Sequence, residues 1–268
     1  MRLDRARLWA TATEALWRLI FPEQCVVCGR VLEPPRRHLC APCHEALPWV
    51  GEHYCPRCGH ALGLHAATAE GCAGCRGRHF AFRRAVAPLR YEGVARDLIL
   101  QFKLGRKASL AYLLGDLLCD YLAQGGLSQA VDLVVPVPLH WRRRVARGFN
   151  QAGLLAIEVA TRFGLPIAQR LLRRYRPTPS QTALSGLGRG ANVRGAFTVR
   201  RSCNGATLLG RLANRLTGAV DLLARRVLLV DDVLTTGSTV NECARVLLDA
   251  GAAEVLVATV ARTHHSVA

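Results

Sequence analysis

From Val227 the chain runs four apolar residues into the pair Asp231 and Asp232, adds Val233 and Leu234, and then opens a Thr/Gly/Ser cluster before an amphipathic segment that starts at Val240. That order reads as a buried strand, a turn and a helix. Upstream, a loose alternation of apolar and basic positions over 80–91 predicts a strand, and 94–102 and 110–122 carry helical spacing interrupted near Gly105. A short apolar run over 131–137, closed by Pro136 and Pro138, predicts another strand. The stretch Leu139-His140-Trp141-Arg142-Arg143-Arg144 and then Arg147-Gly148-Phe149-Asn150-Gln151 reads as a basic loop leading into a helix that ends near Phe163. Residues 255–261 form a last apolar strand, and His264 and His265 behind it read as a tail. Strands alternating with helices predict an α/β domain over 80–268 with a mostly parallel sheet.

Three further segments stand apart from this alternation. Over 3–21, Leu8, Trp9, Ala12, Leu16, Trp17, Leu19 and Ile20 recur near helical spacing, and Pro22 stops them; this predicts an amphipathic helix over 1–21 that packs on its own domain. Residues 173–197 are dominated by turn formers and Arg, the composition of a functional hood rather than of a packed element. Residues 200–225 mix Leu208, Leu209, Leu212, Leu216, Val220, Leu222 and Leu223 with Arg and Gly, which reads as an extra helix or a long connection.

Eight of the eleven cysteines fall between 25 and 75 as four Cys-x-x-Cys pairs. Cys-Val-Val-Cys-Gly and Cys-Pro-Arg-Cys-Gly begin at Cys25 and Cys55, so the segment is an internal duplication. Two thiolates at this spacing face one tetrahedral metal, and Gly29 and Gly59 allow the tight turn that points backbone N–H groups at sulfur. A double zinc ribbon over 22–78 follows, with structural Zn²⁺ at Cys25, Cys28, Cys40, Cys43 and at Cys55, Cys58, Cys72, Cys75; spacing alone also permits an interleaved pairing. All ligands are protein thiolates, so neither metal is assigned a catalytic role. Cys119, Cys203 and Cys243 lack such partners and read as small buried apolar residues.

Half of the 268 residues are apolar, ample for a core, and no apolar run approaches the length of a membrane span. The N-terminal stretch lacks the apolar core and cleavage site of a signal peptide, which predicts a cytoplasmic protein. The net charge of +17 is concentrated: residues 141–226 hold 17 Arg against Glu158 and Asp221 as the acids. Such a block attracts polyanions: phosphorylated sugars, nucleic acid, acidic surfaces.

The chemistry of the 227–239 run follows from its order. A parallel strand delivers Asp231 and Asp232 to its C-terminal end, where open α/β sheets bind ligands. Adjacent carboxylates suit the two hydroxyls of a sugar, or a metal, while Thr235, Thr236, Gly237, Ser238 and Thr239 offer hydroxyls and backbone N–H groups at a helix N-terminus, which suits a phosphate. These thirteen residues resemble the phosphoribosyl pyrophosphate (PRPP) loop of type I phosphoribosyltransferases. With the two cysteine ribbons, Arg147-Gly148-Phe149-Asn150-Gln151, Gln181-Thr182, Arg189, Asn192-Val193 and Gly251-Ala252, the resemblance narrows to the ComF (ComFC/GntX) family and spans nearly the whole chain.

That resemblance implies a type I phosphoribosyltransferase fold, PRPP with Mg²⁺ as ligand, and Asp231 and Asp232 as the catalytic acids on the ribose hydroxyls. It implies a diphosphate-binding loop at Pro136, Val137, Pro138 and Leu139, with Arg147 as a countercharge. In the hypoxanthine/guanine branch an Asp stands where this chain has Thr235, so a purine acceptor is not implied. The family also implies a role in DNA uptake during natural transformation, beside a competence helicase and DNA-processing proteins. Two readings therefore stand: a phosphoribosyltransferase, and a single-stranded DNA-binding adaptor that keeps the fold without turnover.

Overall fold

The computed structural model describes residues 23–33, 38–63, 71–75, 77–105, 107–175, 193–200 and 220–263, with the side chains of 128, 142 and 143 outside that description. The expected helix over 1–21, the hood over 176–192, residues 201–219, Cys203, and His264 and His265 lie outside the described residues. The chain divides into two compact units between Leu47 and Pro48, so the two cysteine motifs belong to different units.

The smaller unit is built on one turn and one short helix. Gln24 bridges Val31, Cys25 N–H donates to the Arg30 carbonyl (2.8 Å) and Gly29 N–H to the Cys25 carbonyl (2.8 Å). The turn closes because Gly29 takes φ +72°, a region costly for a residue with a Cβ. The helix Ala41–Glu45 then carries Cys43 just past Cys40, started by Pro42 in its first turn. Thirty residues on, the larger unit repeats the pattern: Tyr54 bridges Ala61, Cys55 N–H meets the His60 carbonyl (2.8 Å), and Gly59 (φ +66°) donates to the Cys55 carbonyl (2.9 Å). The duplication read from the cysteines is thus a duplication of hydrogen bonds.

In the larger unit the strands are β1 (Arg84–Val86), β2 (Leu89–Arg90), β3 (Leu133–Pro136), β4 (Leu172–Arg174), β5 (Phe197–Val199), β6 (Arg226–Leu234) and β7 (Glu254–Arg262). The main sheet runs β1-β7-β6-β3, with β2 also on β7, and every pairing in it is parallel. Arg84 lies opposite Leu256 and Leu89 opposite Ala261, the same offset, so β1 and β2 are one edge strand interrupted at Pro88, which has no N–H to donate. Val227, Leu228, Leu229 and Val230 are fully buried, as are Val257, Ala258, Val260 and Ala261, which explains why β6 and β7 read as unbroken apolar runs. The helix Gln151–Phe163 packs on β3 and β6, and Leu110–Gln124 packs on that helix and on β7. β4 and β5 form a separate antiparallel ribbon that brings together the two ends of the expected hood.

One local expectation changes. The basic stretch after β3 is not a loop throughout: Trp141–Arg147 is helical, with Arg144 N–H on the His140 carbonyl (3.0 Å). Arg and Ala are good helix formers, and no Gly or Pro intervenes before Gly148 (φ +84°) ends the turn. Among the described residues, no helix is long and apolar enough to cross a membrane.

Candidate functional site

β6 ends in the acids because its buried run ends there. Asp232 is 8% exposed, Asp231 half-buried, and the Asp232 N–H donates to Asp231 Oδ1 (2.9 Å). The turn that follows reverses at Gly237 (φ +80°), and the helix Ser238–Asp249 starts at the next residue, where the Ser238 N–H reaches Thr236 Oγ1 at 3.4 Å. Asn241 N–H is the first to reach back into the helix, onto the Gly237 carbonyl (2.8 Å). The preceding N–H groups form the positive end of the helix dipole, the usual setting for an anion. Thr236 and Ser238 spend their hydroxyls on each other (3.0 Å).

The next strand supplies the facing wall. β3 lies beside β6 with Pro136 opposite Val230, and Val137 N–H continues the ladder onto the Val230 carbonyl (2.9 Å). Beyond it the chain leaves the sheet, and Asn150 Nδ2 holds the turn by donating to the Val137 carbonyl (3.1 Å). Arg147 Nη1 donates to Gln151 Oε1 (3.2 Å), which directs that guanidinium along the start of the next helix.

Between these loops lies a cavity of about 600 Å³. Asp231, Asp232, Thr235, Gly237 and Thr239 line it from one side, and Val137, Pro138, Leu139 and Arg147 from the other. The structure thus brings most of the sequence-named residues to one place. Pro136, Thr236 and Ser238 do not line it: Pro136 is a buried strand residue and the hydroxyls of the other two are hydrogen-bonded to each other.

Two cations on the cavity wall were not singled out from sequence. Lys103, in the last turn of the helix Gly93–Leu104, places Nζ 2.9 Å from Asp232 Oδ1, and Arg174 enters from β4. Tyr91 and Asn150 also line the wall, and the ammonium of Lys103 stands 6.0 Å from the Tyr91 ring centre. Lys103 left a signal: it is one of only two lysines in an arginine-rich chain, next to the buried Phe102 on an amphipathic helix. Arg174 left none, because nothing separates it from its neighbouring arginines in the sequence.

The two acids are placed in unequal electrostatic surroundings. Asp232 has the short ion pair with Lys103. The Asp231 carboxyl is pushed up to about 7, first by desolvation and next by the charge of Asp232, against the opposing pull of the Asp232 N–H and of Lys103 and Arg174. The pair is thus asymmetric: Asp232 is held in an ion pair with Lys103, and Asp231 is the group able to take up a proton near neutrality.

The cysteines gather as two groups of four, Cys25, Cys28, Cys40, Cys43 and Cys55, Cys58, Cys72, Cys75, and not in the interleaved arrangement. Sulfur separations of 3.7 Å (Cys28–Cys40, Cys58–Cys72, Cys72–Cys75) and 3.8 Å (Cys55–Cys75) match the edge of a tetrahedron with Zn–S of about 2.3 Å. Cys72 N–H points at Cys55 Sγ (3.2 Å), as outer-shell donors do around thiolates. Without a cation these thiols cannot all ionise: the contact with Cys58 holds Cys55 down to about 4 and pushes Cys58 far up. Both groups therefore fit structural zinc. They differ in cover, since Cys28 is exposed and Cys43 half-buried, whereas all four sulfurs of the second group are buried.

Comparison with known proteins agrees with this architecture. Residues 16–77 match the double zinc ribbon domain and residues 151–268 the phosphoribosyl transferase domain. Competence protein F of Haemophilus influenzae is 30% identical over 247 residues, covering 90% of this chain and 98% of that protein. DNA utilization protein YhgH of Escherichia coli K12 is 31% identical over 250 residues (91% and 99%). Competence protein ComFC of Bacillus subtilis is 25% identical over 247 residues (90% and 86%). With two groups of four thiols, a parallel sheet and relatives matched over nearly their full length, the chain belongs to the ComF family.

Proposed function

We propose that the cavity binds PRPP or a related phosphoribosyl ligand and that the protein serves the handling of DNA in uptake, as the names of its relatives suggest. The observation that carries the reading is the cavity itself, where the acids and the phosphate loop of β6 face the loop after β3 across one space. The helix N-terminus with Thr235, Gly237 and Thr239 would take the 5-phosphate, Asp231 and Asp232 the ribose hydroxyls, and Val137, Pro138, Leu139 and Arg147 the diphosphate.

In this arrangement catalysis is positioning and electrostatics. As diphosphate leaves C1 of the ribose, positive charge grows on the sugar, which the acids beside it stabilise, while Arg147, Lys103 and Arg174 balance the anion that departs. Among the described residues, Asp231 and Asp232 are the acids that line the cavity, so Mg²⁺ would arrive on the diphosphate rather than rest on the protein alone, supplying charge neutralisation there. No acceptor for the sugar is assigned.

The test is calorimetry with PRPP and Mg²⁺. Asp231→Asn and Asp232→Asn are expected to lower PRPP affinity about 10-fold or more each, with inorganic phosphate binding nearly unchanged. The two variants separate in stability. Asp231 holds its proton more tightly when folded, about 7 against an ordinary 3.8, so its contribution is most favourable below about pH 4, falls as pH rises toward 7, and is flat above. Asp231→Asn removes that loss and is expected to gain about 1–3 kcal/mol at pH 8, the melting curves converging near pH 4. Asp232→Asn strips Lys103 of its partner and is expected to lower Tm at pH 8. Wild-type protein that shows no PRPP binding at millimolar ligand leaves the fold without this activity.

A second reading, single-strand binding, is favoured by the surface beside the cavity. On the helix Trp141–Arg147, Trp141 is 61% and Val145 75% exposed, with Arg144 also in solvent. An exposed indole among arginines offers a stacking platform and countercharges. Single-stranded DNA affinity is then expected to fall steeply with salt, with a shallower slope for Arg144→Glu and an affinity loss for Trp141→Ala of about 5-fold or more. Fluorescence anisotropy between 50 and 300 mM salt (roughly the range over which phosphate contacts are released) checks this, and a salt-independent, variant-independent signal would count against it.

A further inference from the structure

The carbonyl side of the phosphate-binding turn is held by arginines, and one of them is anchored in the second cysteine site. Arg78 Nη2 donates to the Thr236 carbonyl at 2.6 Å, and Arg262 Nη1 donates to the Thr235 carbonyl at 3.2 Å. In a trans peptide the C=O of one residue and the N–H of the next point in opposite directions. Pinning the carbonyls of Thr235 and Thr236 therefore turns the N–H groups of Thr236 and Gly237 to the other side, where Gly237 lines the cavity. The same contacts set positive charge against the negative ends of those peptides, which makes the opposite side more receptive to an anion.

Arg262 is an end residue of β7 and belongs to the sheet. Arg78 instead depends on the cysteines. Its N–H donates to the Cys75 carbonyl (3.1 Å), and its own carbonyl accepts from Arg57 Nη2 (3.3 Å), where Arg57 is the residue just before Cys58. Both guanidiniums sit over the ring of Phe80, at 4.9 Å for Arg78 and 5.7 Å for Arg57. Phe80 packs against the four cysteines on one side and lies under the turn on the other, its Cε1 placed 3.4 Å from where a Cβ on Gly237 would be. A metal at the second site would thus hold Arg57, Arg78 and Phe80 in one arrangement, and the turn rests on that arrangement.

We propose that the second cysteine site, acting through Arg78, is the brace that keeps the phosphate-binding turn open to its ligand, so that ligand affinity depends on metal at Cys55, Cys58, Cys72 and Cys75 and not on metal at the first site. Arg78 is on this account a positioning residue. The inference rests on the phosphoribosyl reading given above for its ligand, but the brace itself is a property of the ligand-free chain.

The experiment pairs PRPP–Mg²⁺ calorimetry with hydrogen exchange of the amides over 235–240 in ligand-free protein, on full-length chains whose zinc content has been measured. Arg78→Ala is expected to retain two zinc ions, speed exchange across the turn and weaken PRPP binding about 10-fold or more. Arg78→Lys keeps a donor for the Thr236 carbonyl and should recover part of both. Cys55→Ser/Cys58→Ser should reproduce the Arg78→Ala result, while Cys25→Ser/Cys28→Ser should lose one zinc and leave turn exchange and affinity as in wild type. Arg78→Ala with wild-type exchange and wild-type affinity would overturn the brace even if the Cys55→Ser/Cys58→Ser chain fails to fold. Should wild type bind no PRPP, the ligand reading falls, and the exchange rates in Arg78→Ala alone decide the brace.

Discussion

Gly237→Val is expected to abolish PRPP binding, lowering affinity by about 100-fold or more, and to cost the ligand-free protein about 1–3 kcal/mol. Both effects come from one backbone position. Gly237 takes φ +80° at the entrance to the helix, where a β-branched residue is strained whatever room surrounds it. The new Cβ would also touch Phe80 Cε1 at 3.4 Å, and the strain at positive φ is relieved when the turn shifts. Movement of that turn redirects the N–H groups meant for the phosphate, and the valine methyls fill the space the anion needs. Gly237→Ala carries the positive-φ penalty with one methyl and should fall between wild type and valine in both Tm and affinity. Sequence alone assigns this glycine to close approach of the ligand; the backbone adds a stability cost that a purely steric block would not carry.

Metal removal is expected to proceed in two steps with different structural consequences. A chelator should strip the first site at lower concentration, because Cys28 is open to solvent and Cys43 half-open. All four cysteines of the second site are buried, so it should yield later. Its loss reaches further, since Gly59 sits against the Ala85 carbonyl and Arg84 lies over Tyr54, whose ring meets Tyr121 on the helix Leu110–Gln124. Zinc release followed with a colorimetric indicator, together with tryptophan fluorescence and Tm, should show a first zinc leaving with little change in Tm and a second leaving with a drop of roughly 5 °C or more. Simultaneous release of both ions, or loss of both without a change in Tm, would contradict the different roles of the two units.

Much of this was legible in the chain because the informative residues come in rigid local patterns. The run from Val227 to the Thr/Gly/Ser cluster encodes strand, acids, turn and helix start in consecutive positions, and a parallel strand buried on both faces leaves an unmistakable apolar signature. The cysteine duplication was equally plain. What could not be read is what assembles across the fold. Lys103 reaches Asp232 from a helix more than a hundred positions away, and Arg78 reaches Thr236 over a similar gap. No periodicity encodes such pairs. The helix Trp141–Arg147 was missed for a different reason: a dense basic run suggests a solvated loop, while the backbone follows the helical preference of its Arg and Ala.

The dressing of the sheet's outer strand has a consequence for solubility. Ala85 N–H donates to the Arg57 carbonyl, Val50 N–H to the Pro88 carbonyl and Arg90 N–H to the Pro48 carbonyl, so the polar groups along β1 and β2 are occupied by the second cysteine turn and by the segment that follows Leu47. At the far side, Val134 pairs with Ile167 and covers β3. An uncovered parallel strand of this apolar character is a template for another chain. Loss of the second metal would bare Ala85 first, so protein stripped there should precipitate through strand-to-strand pairing between copies, and zinc at Cys55, Cys58, Cys72 and Cys75 would double as a guard against aggregation.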